Sequence, residues 1–187
     1  MTLNTINTKK LSKIASNPMR TIRIAKLTLN VGAGKEQQKL EKGVALLKHI
    51  VGIAPVKTVT KKRIPTWGLR PGLPIGCKIT LRGKEAEALF KRLLHAKEKT
   101  LKASQFDNAG NVSFGLPDYI DIEGVEYNPA IGSAGFEACV TIERPGYRVK
   151  RRRLQSSPVG KKHALTKEET QAFLTERYGV KIVEAER

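Results

Sequence analysis

The chain has 187 residues, 40% of them hydrophobic, and its 35 Lys and Arg against 17 Asp and Glu give a net charge of +18. That length fits one compact domain, or one with an extension, and apolar content this high excludes wholesale disorder. A charge so far from zero costs self-repulsion and points to a polyanionic partner, with nucleic acid well ahead of an anionic membrane surface.

The opening MTLNTINTKK has no apolar region of a secretion signal, and no window reaches the length of a spanning helix. Cys77 and Cys139 are two isolated thiols, too few for a disulfide framework, which favours a reducing interior. We therefore expect a cytoplasmic protein.

TKKLSKIASNPMR suggests a short basic helix stopped at Asn17-Pro18. In the next run Leu27, Leu29 and Val31 alternate with Lys26, Thr28 and Asn30, the pattern of a half-buried strand. Over 35–51 the residues Leu40, Val44, Leu47 and Val51 recur at helical spacing, and VKTVT is a short strand. A second half-buried strand sets Ile75, Cys77, Ile79 and Leu81 against Lys78, Thr80 and Arg82. An amphipathic helix over 84–101 puts Ala86, Leu89, Phe90, Leu93 and Leu94 on one side. FDNAGNVSFG has turn chemistry between short extended pieces, and both DYIDIEGVEY and FEACVTIE alternate like strands. In the last of these, Phe136, Ala138, Val140 and Ile142 oppose Glu137, Cys139, Thr141 and Glu143. The final helix carries a capping box, Thr166 with Glu169, and Gly179 as its terminator. The order α-β-α-β-β-α-β-β-α describes an α+β fold, an antiparallel sheet with helices on one face, a long basic loop and a basic C-terminal extension. We expect a single unit over 1–143, with 144–187 an extension that ends in a helix packed on the same domain.

Charge is segregated along the chain. Residues 57–82 hold seven Lys or Arg and no acid, whereas 103–143 hold seven Asp or Glu and no base. RPGYRVKRRR then places six cations in ten residues, with Tyr147 between them. Solvated surfaces usually mix the two signs, so these blocks imply faces with different partners. Lys26, Thr28, Asn30, Lys78, Thr80 and Arg82 would share the open sheet face, where cations, hydroxyls and an amide suit phosphate, 2′-hydroxyl and base-edge contacts. The alternative is an ordinary solvated sheet face.

Gly32-Ala33-Gly34-Lys35 has the look of a phosphate loop but lacks its spacing and the hydroxyl residue after the lysine. It reads as a tight strand-to-helix turn, or as backbone amides meeting an RNA phosphate. His49, His95 and His163 show no metal-ligand spacing with the cysteines, and nothing in the acidic segment forms an acid/base pair with a nucleophile. We expect no enzyme, cofactor or metal. The competing readings are a free-standing RNA regulator or chaperone and a nucleic-acid-processing enzyme.

Four stretches, NPMRTIRIAKLTLNVGAG, LRPGLPIGCKITLRG, FDNAGNVSFG and RPGYRVKRRR, resemble in order and spacing the large-subunit ribosomal protein five family, in its archaeal and eukaryotic-like branch. The resemblance implies a protein that binds 5S rRNA and attaches it in the central protuberance. It also implies neighbouring large-subunit rRNA and other 5S-binding proteins, a bridge to a small-subunit protein and a loop that contacts P-site tRNA. It carries over Asn30, Thr58, Arg63, Thr80 and Arg82 as rRNA contacts. With the sheet face and basic runs read above, the expected rRNA site comprises Lys26, Thr28, Asn30, Gly32, Thr58, Lys62, Arg63, Lys78, Thr80 and Arg82, with Arg144, Arg148, Arg151 and Arg152 from the extension. Trp67, Arg70, Pro71 and Gly72 would meet tRNA from a mobile 63–74 loop. Asp118, Asp121 and Glu123 would form the subunit bridge. No membrane contact and no homo-oligomer are expected.

Overall fold

The computed structural model describes residues 17–183. Of the expected N-terminal helix only 17–20 fall within this range, as a 3-10 turn over Pro18–Arg20 capped by Asn17. The strands of the main sheet are β1 (Arg23–Gly32), β2 (Val56–Val59), β3 (Pro74–Leu81), β5 (Asn111–Leu116) and β6 (Phe136–Glu143). They lie in the order β2-β3-β1-β6-β5, and every neighbouring pair is antiparallel.

Helices α1 (Gln37–Val51) and α2 (Gly83–Ala96) cover one face of this sheet. The alternating strands explain why only one face is covered. Leu27, Leu29, Ile79, Leu81, Ala138 and Val140 are buried toward the helices, while the intervening polar side chains point the other way. The α2 stripe is as expected, with Ala86, Leu89, Phe90, Leu93 and Leu94 all buried. The α1 stripe is rotated from the expected one: Leu40, Gly43, Leu46, Leu47 and Ile50 face the core, and Val44 and Val51 are only half-buried. Gly43 causes the rotation. A Cβ there would lie 2.9 Å from Val31 Cγ1, so the glycine lets the helix sit against β1 and β3.

Two further expectations are corrected. The second helix stops at Ala96 rather than 101, because Glu98 and Lys99 take left-handed backbone angles and turn the chain into β4 (Thr100–Lys102). DYIDIEGVEY is not a strand; the strand beside β6 is NVSFGL, residues 111–116. In the 117–135 connection Tyr119 and Ile122 are buried and Val125 half-buried at three-residue spacing. Their amides close successive turns, Ile122 N–H to Tyr119 O and Val125 N–H to Ile122 O.

After β6 come a one-turn helix α3 (Arg148–Arg151), α4 (Lys167–Tyr178) and β7 (Lys181–Val183), which pairs in parallel with β4. The α4 capping box forms as expected, Thr166 Oγ1 accepting from Glu169 N–H at 3.3 Å, and Gly179 ends the helix in the left-handed region. Leu174 and Tyr178 are buried, with Tyr178 edge-on to Phe90 at 5.2 Å between centroids, so α4 packs on α2. Cys77 lies on the covered face and Cys139 on the open one, and both are free thiols.

Candidate nucleic-acid interface

Register assembles the open face row by row, because partners across an antiparallel pair share a face. One row runs Lys78, Asn30, Glu137 and Gly115; the next runs Thr80, Thr28, Cys139 and Ser113; a third runs Lys26, Thr141 and Asn111. Thr28 and Thr80 hydroxyls are 3.4 Å apart. Arg82 follows β3 directly and is exposed. Register therefore brings five of the six expected side chains together on this face, and Arg82 continues from its edge at the end of β3.

The row beyond Lys78 is almost bare: Thr58, Gly76 and Gly32 stand opposite one another. Gly76 is required there, since a Cβ would lie 2.6 Å from the Val31 carbonyl oxygen and 3.1 Å from Thr58 Oγ1. Gly32 is exposed with free space where a Cβ would stand, so the main chain is open there, whereas Gly76 is buried beneath Thr58. The adjoining Ala33 and Gly34 amides are not open, because both donate to Ile75 O, at 2.9 and 3.1 Å. The Gly-Ala-Gly turn is therefore a strand-to-helix connection whose amides are already occupied.

Five open-face side chains lie outside the expected site: Asn111, Ser113, Glu137, Cys139 and Thr141. Glu137 accepts from Asn30 Nδ2 at 3.2 Å, so the acidic segment puts one carboxylate among the cations. The alternation in FEACVTIE already set Glu137 opposite the buried side chains. What it could not supply was β6 as the neighbour of β1.

The 63–74 loop is the tip of the β2–β3 hairpin and is hydrogen-bonded throughout. Ile64 and Leu69 exchange amide bonds at 3.0 Å, Pro65–Trp67 form a 3-10 turn, and Thr60 binds Leu73 O through both its amide and its hydroxyl. Leu69 is buried, while Trp67 is 66% exposed, and Arg63, Arg70, Pro71 and Gly72 are exposed with it. Lys61 and Lys62 are exposed at the hairpin's base.

The extension arginines have unequal environments. Arg148 and Arg152 are exposed. Arg151 grips Glu143 through two guanidinium nitrogens, so one cation expected to face RNA is neutralised by the protein. Arg144 is corrected outright. Its side chain is 8% exposed, donating to Glu169 Oε1 at 2.9 Å and His163 O at 3.3 Å, and it is internal.

The acidic trio lies away from the open face, in the 117–135 connection. Asp118 accepts from Ser133 Oγ at 2.7 Å, Asp121 is exposed, and Glu123 pairs with His95 on α2 at 2.9 Å. His49 meets Glu126 O at 2.9 Å, so two helix histidines staple this connection to the helix layer. Among the described residues no cluster of three or more His, Cys, Asp or Glu could hold a metal ion.

A sheet clad by helices on one side, with cations, hydroxyls and bare main chain on the other, defines a small basic α+β protein shaped to meet a polyanion. Family models agree over nearly all the described chain: "Ribosomal protein L5" matches residues 17–70, and the C-terminal model of the same ribosomal family matches 74–173. Proteins called large ribosomal subunit protein uL5 are similar along most of their length. That of Nanoarchaeum equitans is 51% identical, covering 89% of this chain and 99% of its own. That of Sulfurisphaera tokodaii is 44% identical over 90% and 96%, and that of Methanobrevibacter smithii 41% over 89% and 98%. The chain belongs to the ribosomal protein L5 family. It is a structural, non-enzymatic protein of the large ribosomal subunit, working on the cytoplasmic ribosome.

Proposed function

We propose that the open sheet face binds 5S rRNA and attaches it in the central protuberance, beside large-subunit rRNA and the other 5S-binding proteins. The observation that carries this reading is the shared face of Lys26, Thr28, Asn30, Lys78 and Thr80, with the exposed Arg82 at the end of β3 and the exposed Gly32 beside them. Fixed hydroxyls and an amide can bind riboses and phosphates while the cations supply affinity, and the exposed Gly32 admits a sugar-phosphate backbone against the main chain. The hairpin tip with Trp67, Arg70, Pro71 and Gly72 contacts P-site tRNA, and Asp118, Asp121 and Glu123 meet a basic small-subunit protein. The exposed indole supports the first assignment and the separation of the carboxylates from the open face supports the second.

The test is 5S rRNA affinity. Arg82→Ala should weaken binding by about 1.5–3 kcal/mol, the range for hydrogen bonds from a charged group, with an unchanged circular dichroism spectrum. A Lys78→Ala/Arg82→Ala protein that binds 5S rRNA as tightly as wild type would remove the open face from the RNA site.

A further inference from the structure

The Lys26 end of the open face is walled by the extension. Beyond Arg144 the chain turns, forms α3 and doubles back on it. Ser157 N–H donates to Val149 O at 3.2 Å, Ser156 Oγ to Lys150 O at 3.2 Å and Arg152 Nε to Gln155 O at 2.8 Å. The strap held this way stands against the last row of the sheet and forms one side of a half-open cavity of about 520 Å³. Its principal walls are Lys26, Asn111, Thr141, Tyr147, Lys150 and Val159. That volume falls within the roughly 300–1,000 Å³ of sites that enclose a small ligand.

The wall chemistry is selective. Two ammonium groups line the cavity, and its single carboxylate, Glu143, is already held by Arg151. Tyr147 is half-buried and offers an aromatic surface, Val159 an aliphatic one. Thr141 brings a hydroxyl and Asn111 a side-chain amide, one of whose protons is committed to Asp107 at 3.0 Å. Tyr147, Glu143 and Arg151 also line a second cavity of about 480 Å³ together with Arg23, Arg82 and Arg148; its other carboxylate, Glu87, is paired with Arg177 at 3.4 Å. The two cavities thus share one partition. One is furnished for a flat, hydrogen-bonding ring and the other for a phosphate.

We infer that the strap and the sheet end form a pocket for a single nucleotide extruded from 5S rRNA. Its base stacks on Tyr147, and a flanking phosphate lies among the three arginines. A base inside an A-form helix cannot reach such a recess, so the nucleotide comes from a loop or bulge. The inference rests on the proposal that the open face holds 5S rRNA.

The test is base-edge probing, with dimethyl sulfate and a carbodiimide, of 5S rRNA bound to the full chain. In complexes of wild type and Tyr147→Phe, one unpaired nucleotide that is reactive in free RNA becomes shielded. Tyr147→Ala, which removes the stacking surface, and Val159→Trp, which fills the cavity, should each restore that one reactivity. Both should lower affinity about tenfold and leave the rest of the footprint intact, the size expected when one base loses its stacking partner. A full footprint that neither variant alters overturns the nucleotide pocket alone. A wild-type chain that leaves no footprint on 5S rRNA overturns the pocket and the proposed function together.

Discussion

Replacing Arg144 by alanine should destabilise the fold and leave RNA affinity nearly untouched, although Arg144 opens the most basic run of the chain. Its guanidinium joins β6 to α4 through Glu169 and to the 160–165 segment through His163 O. Loss of a charged hydrogen bond is worth about 1.5–3 kcal/mol, and the buried stem adds apolar area. Two effects offset part of this. Glu169 is 42% exposed and can rehydrate, and removing Arg144 relieves the desolvation of a cation whose Nε has no partner among the described residues. A net loss of about 2 kcal/mol follows, or roughly 4–8 °C in melting temperature for a domain of this size. Urea unfolding followed by circular dichroism reads the first quantity. Filter binding to 5S rRNA across a salt series reads the second, in parallel with Arg148→Ala. The exposed Arg148 should cost under about 0.5 kcal/mol of stability and lower the salt slope by about 0.9 if it neutralises one phosphate. An Arg144→Ala protein of wild-type stability with a reduced salt slope would refute the internal placement.

Trp67 should emit at long wavelength and be open to iodide in the free protein, because its ring is exposed on an otherwise hydrogen-bonded hairpin tip; blue-shifted, protected emission would put the ring in a core. Converting Asp118, Asp121 and Glu123 to Lys should weaken subunit joining in a gradient assay while 5S rRNA affinity holds or rises. The exposed Glu123–His95 pair lost in that variant costs at most about 1 kcal/mol, so a folded variant that fails to bind 5S rRNA would place the trio in the RNA site. A thiol reagent should label Cys139 in the native state and Cys77 only on unfolding. Burial raises the Cys77 pKa, so the folded state keeps its proton where the unfolded chain gives it up. That contribution to stability is complete below the ordinary thiol range and is lost as pH rises through the raised folded value, which alkaline unfolding curves of wild type and Cys77→Ala would compare.

Two-residue alternation carried most of the architecture. It placed Leu27, Leu29, Ile79 and Leu81 inward and Lys26, Thr28, Lys78 and Thr80 outward, because one face of each strand had to be buried. The same rule misled at 118–127. Tyr119 and Ile122 are buried there at turn spacing, and the outward Ile120 and Asp121 do not alternate with them. β4 and β7 escaped notice because three-residue strands carry too few side chains for a period. Arg144 was illegible for another reason. Nothing local separates it from Arg148 or Arg152, since its partner Glu169 stands 25 residues on and meets it only in the folded chain. Alternation and charge segregation made the RNA-facing sheet legible and motif order named 5S rRNA and tRNA, whereas the strap cavity depends on long-range register that no single stretch encodes.

The position of β1 has a consequence for the chain during its own synthesis. It is the central strand, yet its partner on one side is β6, and Asn30 meets Glu137 across 107 residues of sequence. While the nascent chain emerges, β1, α1 and the β2–β3 hairpin can assemble from neighbouring segments, leaving one long edge of β1 unpaired. That edge presents free amides and carbonyls beside a polycationic surface, at the mouth of a tunnel made of RNA. Closure waits for the last quarter of the chain, so loop-closure entropy is paid late and all at once. Slowing translation before residue 136 should lengthen the life of the half-sheet, the species best able to pair with a second chain or cling to the wrong nucleic acid.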